Sequence, residues 1–258
     1  MVCRHVRRNA APVRPAVVRF FVGLHQPSDA AKVSVPAFIS VNRLRDRKSP
    51  FAVGDWIMDS GAFTTIATHG GYPQPVSEYA AQIRRWSGNG NLLAAAAQDF
   101  MCEPHMLAKT GLTVAEHQRL TIERYDALLR EDCGVYILPV LQGYAPDDYA
   151  AHVRAYGDRF APGAWVGVGS ICKRNASPSS IVAVLRAILA ERPDLRLHGF
   201  GLKKTALQLA DVRDSLYSAD SMAWSYNARM RGNGNNDWRE AERCAARINT
   251  MPVQLGML

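Results

Sequence analysis

The stretch WIMDSGAFTT, residues 56–65, contains the pattern from which the fold can be predicted. A short apolar segment ends at Asp59, and Ser60 and Gly61 follow at once, residue types that favour a tight turn. Phe63 comes directly after them. A turn explains these residues when they are taken alone, so the rest of the chain must decide whether the carboxylate has a chemical role.

Similar short segments recur along the chain, and most are apolar on both faces, which is typical of parallel strands covered by helices. Amphipathic stretches separate many of them. About eight strands alternating with helices in 258 residues predict a single-domain α/β fold, a (β/α)8 TIM-like barrel, whose usual size is about 250 residues. A doubly wound open sheet is the alternative. The predicted strands are 17–23, 36–42, 55–59, 92–99, 135–142, 164–169, 195–201 and 216–222, and the predicted helices are 75–88, 113–131, 146–160, 177–193 and 203–216.

The composition is that of a soluble globular protein, with 48% hydrophobic and 21% charged residues. No apolar run approaches the roughly 20 residues that a membrane helix needs, and the N-terminus lacks the apolar core of a secretory signal. Five scattered cysteines without a C-x-x-C pair are typical of reduced intracellular thiols. We therefore expect a cytoplasmic protein with no membrane partner.

The formal net charge is +8, and the excess is concentrated in two places. One is a basic N-terminal arm, residues 1–15, which precedes the predicted barrel domain, residues 16–258. The other is the loop that carries Arg43, Arg45 and Arg47. Clustered cations favour a polyanion, and we expect these arginines to contact nucleic-acid phosphates. A solvated basic surface is the alternative.

Polar residues lie near the carboxyl ends of the predicted strands, the end at which a barrel holds its active site. Asp59 ends the third strand, Asp99 the fourth and Gln142 the fifth, and Asp220 lies near the end of the eighth. A helix cap or a turn explains each carboxylate taken alone. Together they predict a site in which like charges raise a pKa. One carboxylate can then attack a glycosidic carbon while another moves a proton.

Six short motifs follow one another in a fixed order. They are D-S-G-A-F (59–63), Q-D (98–99), L-Q-G (141–143), V-G-V-G-S (166–170), G-F-G (199–201) and S-A-D-S-M-A-W-S-Y-N-A-R (218–229). In this order they resemble the motifs of the guanine transglycosylases, which comprise the tRNA-guanine transglycosylases and their DNA-modifying deazapurine relatives. The resemblance covers about residues 55–231.

The resemblance implies a role for each matched position. Asp220 matches the carboxylate that attacks C1′ of the sugar and holds a covalent glycosyl intermediate. Asp59 matches the carboxylate placed for proton transfer, and Phe63 matches an aromatic residue that packs on the base. Arg229 of the N-A-R element is assigned to nucleic-acid binding. The other predicted substrate-binding residues are Ser60, Asp99, Gln142, Gly167, Gly169 and Ser170.

The chain also departs from the tRNA enzymes, which hold a structural zinc in a late cysteine and histidine cluster. After Asp220 the only cysteine is Cys244, and no histidine follows His198, so we expect no metal and no cofactor. Little sequence follows the N-A-R element for a tRNA-binding extension. Both differences favour DNA over tRNA and resemble the short DNA-modifying relatives of phages and bacteria.

We therefore predict a pentosyltransferase that replaces guanine in DNA with a 7-deazaguanine base. Three alternatives remain open: a tRNA-guanine transglycosylase, a non-catalytic nucleic-acid-binding homologue, and a barrel enzyme acting on a small nucleoside or sugar phosphate. The retention of both Asp59 and Asp220 favours an enzyme over a non-catalytic homologue. A homodimer is also left open.

Overall fold

The computed structural model describes residues 18–174, 177–230 and 236–251. Its strands pair in parallel throughout and form a nearly closed barrel surrounded by helices, which confirms the predicted TIM-like fold. The basic arm, residues 1–15, lies outside the described residues. The strands are β1 Arg19–Gly23, β2 Ala37–Ser40, β3 Asp55–Asp59, β4 Asn91–Ala96, β5 Ile137–Leu138, β6 Val140–Leu141, β7 Trp165–Val168, β8 Arg196–Gly199 and β9 Ser218–Ser221.

The barrel closes at Pro139, which divides the predicted fifth strand into β5 and β6. The sheet order is β5-β4-β3-β2-β1-β9-β8-β7-β6, so its two ends are consecutive in the chain. Proline has no N–H and cannot donate to a ladder. Its carbonyl still accepts a hydrogen bond from the Gly167 N–H at 2.8 Å, which ties the divided strand to β7.

Helices cover the outside of the barrel, and the five predicted helical stretches are present with two corrections. The stretch 203–216 divides into two helices because Leu209 has extended backbone, and the stretch 146–160 ends its α-helix at Tyr156. The first turn after Asp59 opens a helix that the sequence analysis left unassigned. The helices are α1 Ala62–His69, α2 Val76–Trp86, α3 Pro104–Thr110, α4 Val114–Arg130, α5 Pro146–Tyr156, α6 Pro178–Glu191, α7 Lys204–Leu207, α8 Ala210–Ser215, α9 Ala223–Met230 and α10 Trp238–Thr250.

Both faces of the strands are buried, as the apolar segments predicted. One face packs under the helices in the larger core, to which Ile39, Trp56 and Met58 belong. The other face fills the barrel with a smaller cluster, whose members are Phe21, Phe38, Ile57, Ala94, Leu138 and Trp165.

In the part of the chain that the structure describes, no helix is long and apolar enough to span a membrane.

The loop before β4 depends on a glycine for its close approach to the chain before β3. Gly90 has a positive φ of 58°, and a Cβ built on it would lie 2.1 Å from the carbonyl oxygen of Val53. Its neighbour Gly88 has open space around the same position. The loop is fixed here because the Trp56 indole N–H donates to the carbonyl of Asn89 at 2.7 Å.

We expect Gly90→Ala to lower the free energy of unfolding by at least about 1–3 kcal/mol, the usual cost of a strained backbone conformation. Gly88→Ala is the matched control and should leave stability nearly unchanged. Urea unfolding followed by tryptophan fluorescence measures both variants. Equal midpoints for the two would show that the contact between Gly90 and Val53 does not constrain the loop.

Candidate active site

A cavity of about 250 Å³ opens at the carboxyl ends of the strands. This volume is just below the usual range of about 300–1,000 Å³ for small-molecule sites, so the cavity accommodates little more than one ring system. The barrel brings most of the predicted site residues to its wall. Those that line it are Asp59, Phe63, Asp99, Gln142, Gly169, Ser170 and Asp220.

The cavity lies directly above the apolar layer that fills the barrel. Side chains alternate along a strand, so residues two positions apart project from the same face. On β3 the residue two positions beyond Ile57 is Asp59, and on β2 the residue two positions beyond Phe38 is Ser40. The parallel register places Ser40 opposite Asp59. The apolar layer therefore forms the floor of the site, and the next layer supplies its polar wall.

Asp220 is held at the cavity by donors to one of its oxygens. The Gly201 N–H donates to Oδ1 at 3.0 Å, and Nε2 of His198 lies 3.3 Å from the same atom. The residue is only 5% exposed. Within the described ranges Oδ2 makes no hydrogen bond, so it is the oxygen available to a ligand.

A buried chain of hydrogen bonds sets the orientation of His198. The Trp165 indole N–H, which can only donate, lies 2.8 Å from Oγ of Ser218. The Ser218 hydroxyl can then donate to Nδ1 of His198, 2.9 Å away, so that Nε2 is the ring nitrogen that donates toward Asp220. His198 is fully buried. The sequence analysis assigned no role to His198, and the structure makes it a residue that positions the carboxylate.

Asp59 lies at the end of β3 with its carboxylate at the cavity wall. Burial raises the pKa of Asp59, the nearby Asp220 carboxylate raises it further, and a hydrogen bond from Ser40 opposes both. The Gly61 N–H donates to Oδ2 at 3.2 Å. Gly61 itself has a φ of 71° and faces Asn42, whose Nδ2 would lie 2.5 Å from a Cβ. The turn thus requires glycine at position 61, and the turn holds Asp59 just before the start of α1.

Asp99 and Glu103 are buried carboxyls joined through Gln142 and Ser170. Nε2 of Gln142 donates to Oδ2 of Asp99, and the Ser170 hydroxyl lies 2.6 Å from Oε1 of Gln142 and 2.9 Å from Oε2 of Glu103. The Cys102 N–H also donates to Oγ of Ser170 at 3.0 Å. Burial raises the pKa of Asp99 to about 7, the bond from Gln142 opposes the shift, and Asp59 and Glu103 add to it.

In this series of hydrogen bonds the Ser170 hydroxyl has a single proton, while two possible acceptors, Oε1 of Gln142 and Oε2 of Glu103, lie next to it. When it donates to Gln142, the amide keeps its N–H toward Asp99. When Asp99 is protonated instead, a flipped amide reverses the direction of every bond in the chain. The direction of these hydrogen bonds is therefore coupled to the protonation of Asp99, whose pKa lies at about 7.

Two of the predicted glycines are required by neighbouring side chains. A Cβ on Gly169 would lie 2.1 Å from Nε2 of Gln142, so glycine there allows Gln142 to reach Asp99. A Cβ on Gly167 would lie 2.4 Å from the ring of Phe200. Gly167 does not line the cavity, because the Phe200 ring lies against it. Ser60 does not line it either: the residue is buried, and its hydroxyl has no partner among the described residues.

Phe63 lies at the mouth of the cavity in the first turn of α1. It is 48% exposed, an unusual position for a large aromatic side chain, and the Lys173 ammonium lies 5.3 Å from its ring centroid. The ring is thus free to contact a base that enters the cavity.

The predicted nucleic-acid-binding arginines are not equivalent. Arg43 lies 3.3 Å from Nδ1 of His25, and both Arg43 and Arg229 act electrostatically on that ring, where burial and these two cations lower the pKa of His25. These two residues therefore form one basic patch beyond the ends of β1, β2 and β9. Arg45 donates to Oδ1 of Asn42. Arg47 donates to the carbonyls of Ser49 and Pro50 in its own loop.

Several residues of the site were not predicted from the sequence. Ser40 could have been found, because it stands two positions after an apolar residue at the end of a strand. Glu103 precedes α3 and follows no strand directly, so no periodicity pointed to it. Met101, Cys172 and Phe200 also line the cavity.

The described residues hold no group of three or more His, Cys, Asp or Glu side chains that could bind a metal ion. Cys244 and Cys172 are partly exposed cysteines. The absence of a structural zinc and of a cofactor stays a prediction.

The fold and the site define a class of protein: a parallel (β/α) barrel that gathers carboxylates around a base-sized cavity at the carboxyl ends of its strands. The family model of DpdA, described as DeoxyPurine in DNA protein A, matches residues 17–248. The chain belongs to this family, a DNA 7-deazaguanine transglycosylase-like family related to tRNA-guanine transglycosylase. The predicted resemblance is confirmed, and the family indicates a transferase that acts on guanine in DNA. None of the curated proteins matches the chain.

We expect the stability of the protein to show the raised pKa of Asp99. The folded state binds the proton more tightly than the unfolded state, whose carboxyl has the ordinary pKa of 3.8, so the free energy of unfolding should fall as the pH rises from about 4 to about 7. Asp99→Asn removes the titrating carboxyl, so this pH-dependent fall in the free energy of unfolding should disappear. The variant should therefore gain more stability over the wild type at pH 8 than at pH 5 in urea unfolding.

The control for this experiment is Asp46→Asn, which changes an exposed carboxylate. It should alter stability little at either pH. A gain for Asp99→Asn that is the same at pH 5 and pH 8 would contradict the raised pKa.

We also expect the basic patch at Arg43 and Arg229 to contact phosphates. Each substitution by alanine should flatten the slope of log binding constant against log salt by roughly one unit, because one phosphate contact is lost. Arg47→Ala should have a smaller effect, since its guanidinium already bonds to its own loop. Salt titrations of DNA binding measure the slopes. Arg130→Ala is the control, because Arg130 lies at the end of α4 and therefore on the opposite face of the barrel. If the Arg43→Ala and Arg229→Ala variants show the same slope as this control, Arg43 and Arg229 do not contact phosphates.

Proposed function

We propose that the protein exchanges guanine in DNA for a 7-deazaguanine base through a covalent intermediate on Asp220. The observation that carries the proposal is that Asp220 and Asp59 line the same cavity and that Asp220 raises the pKa of Asp59. Two carboxylates in one cavity, one of which has a raised pKa, are suited to nucleophilic attack and to proton transfer.

In the first step, Oδ2 of Asp220 attacks C1′ of the deoxyribose and the bond from C1′ to guanine N9 breaks. The guanine leaves with the bonding electrons and takes a proton from Asp59. In the second step, N9 of the incoming base attacks C1′, the ester to Asp220 breaks, and Asp59 takes back the proton that the incoming base loses. The raised pKa of Asp59 suits a group that must both give and accept a proton.

The surroundings of Asp220 support its role as the nucleophile. The Gly201 N–H and His198 hold Oδ1, which leaves Oδ2 available at the cavity. The attacking group is thus fixed before the substrate arrives. The apolar floor below it offers no hydrogen-bond partner to a water molecule that would compete with the incoming base.

Asp99 is the residue we assign to the Watson–Crick edge of the base. Guanine and 7-deazaguanines carry the same N1–H and N2 amino donors, and an ionised carboxylate can accept from both. Gln142 holds Asp99 in place, and Gly169 gives Gln142 the necessary space. Recognition by this edge explains how one cavity could bind both the leaving and the incoming base.

The description of the family as acting on deoxypurine in DNA favours DNA over tRNA as the substrate. A non-catalytic homologue would bind nucleic acid without forming an adduct. The experiment that tests the proposed function must therefore detect the covalent intermediate itself.

We expect the wild type, incubated with a guanosine-containing DNA and no incoming base, to form an adduct that survives a denaturing gel. Asp220→Ala should fold and form none, because the nucleophile is missing. Asp59→Asn should lower the rate of guanine exchange by about 10²–10⁴-fold, the usual contribution of proton transfer.

Asp55→Asn is the matched control, since Asp55 lies at the opposite end of the same strand, where it pairs with Arg19. It should leave both the adduct and the exchange rate nearly unchanged. An adduct that persists in Asp220→Ala, or an unchanged rate in Asp59→Asn, would disprove the corresponding assignment.

A further inference from the structure

A second cavity of about 370 Å³ adjoins the first on the carboxyl-end face of the barrel. The two share Glu103 and Ser170, which form part of the wall between them. The proposed chemistry uses only the first cavity. The second is large enough for one further ring system, since its volume falls within the range of small-molecule sites.

The side chains around the second cavity combine aromatic rings with cations. Tyr144 is 49% exposed, and the guanidinium carbon of Arg174 lies 5.0 Å from its ring centroid. Phe63, at the mouth of the first cavity, is paired in the same way with Lys173, which also lines the second cavity. Exposed rings next to cations are the arrangement by which proteins stack unpaired bases and neutralise their phosphates.

Arg174 is incompletely paired in this arrangement. It donates to the backbone carbonyl of Tyr144, but its buried Nε–H has no acceptor among the described residues. A buried donor without a partner costs free energy that an acceptor on a ligand can recover. The cations Lys173 and Arg174 and the ring of His105 face a single carboxyl, Glu103, around this cavity. This balance favours an anionic ligand.

We propose that the second cavity binds the nucleobase next to the exchanged guanosine. Tyr144 stacks on this base, and Lys173 and Arg174 contact the phosphate that joins the two nucleotides. Adjacent cavities that share a wall correspond to adjacent nucleotides that share a phosphate. This assignment rests on the proposed function, since it takes the first cavity as the guanine site.

The substrate is then DNA that is unpaired at two neighbouring positions. A base that stacks on Tyr144 cannot remain in the stack of a duplex, so both nucleotides must leave it. The second cavity thus narrows the substrate class from DNA in general to single-stranded or locally opened DNA.

Binding is tested with single-stranded oligonucleotides that carry 2-aminopurine on the 5′ or the 3′ side of one guanosine. The fluorescence of this base falls when it stacks on an aromatic ring. Wild-type protein should quench it at one of the two positions. Tyr144→Phe should keep the quenching because the ring remains, and Tyr144→Ala should lose it. Leu129→Ala, an exposed apolar residue on α4, is the control and should behave as the wild type.

Turnover is tested with oligonucleotides that have an abasic site at the same neighbouring position. Stacking on one aromatic residue contributes about 1–3 kcal/mol, so the wild type should lose about tenfold to a hundredfold in kcat/KM on the abasic substrate. On the intact oligonucleotide, the kcat/KM of Tyr144→Ala should be lower than that of the wild type by a similar factor. On the abasic oligonucleotide, the kcat/KM of the variant and of the wild type should be nearly equal.

The proposal is overturned if Tyr144→Ala quenches 2-aminopurine as the wild type does, or if it loses the same factor on both oligonucleotides. It is also overturned if the variant changes only the discrimination between guanine and a 7-substituted base, because the cavity would then hold that substituent. Failure of the proposed function gives a different result: the wild type would exchange no guanine in any oligonucleotide, while quenching that depends on Tyr144 would still identify the neighbouring-base site.

Discussion

The closure of the parallel sheet at Pro139 is the constraint on which the rest of the structure depends. Because the first and last strand segments of the sheet are the two halves of one stretch of chain, every strand end meets the others in a ring. Parallel strands place all their carboxyl ends on the same face. Asp59, Asp99 and Asp220 are far apart in the chain and reach one cavity only because of this closure.

The barrel also supplies hydrogen-bond donors to the several carboxyls that lie together in a small, largely buried space. Each is surrounded by donors that the neighbouring strands or loops supply: the Gly61 N–H for Asp59, Gln142 for Asp99, and the Gly201 N–H with His198 for Asp220. Burial without such partners would cost several kcal/mol for each charge. Burial raises the pKa values of Asp59 and Asp99 despite these donors, and repulsion between the neighbouring carboxylates adds to the shift.

In the proposed function, recognition of DNA divides between the cavity and its rim. The cavity is base-sized and its reading groups are buried, so it can select a base but has little room for the backbone. The cations lie outside it, in the patch formed by Arg43 and Arg229 and in the pairs of Lys173 with Phe63 and Arg174 with Tyr144. Phosphate contacts position a nucleic acid, and base contacts specify it. The two proposals about the rim assign these functions to different sides of the opening.

The sequence by itself determined where the strands lie, apart from the division of the fifth at Pro139, since segments that are apolar on both faces have few other places in a globular protein. It also determined that Asp59 ends a strand and that Gly61 must follow it, because a tight turn needs a left-handed residue there. The motif order was sufficient to predict the family. Local patterns of this kind involve residues a few positions apart, and they persist in any fold that the chain adopts.

Only the tertiary structure decided which polar residues meet. Glu103 and Ser170 bond to each other although they are far apart in the chain, and no local pattern relates them. The sequence assigned Gly167 to the substrate, but the ring of Phe200 lies against it, so its lack of a side chain serves packing. His198 supports Asp220 because β8 and β9 are paired in one register. Such contacts follow from the register and closure of the sheet, which depend on the packing of the whole barrel.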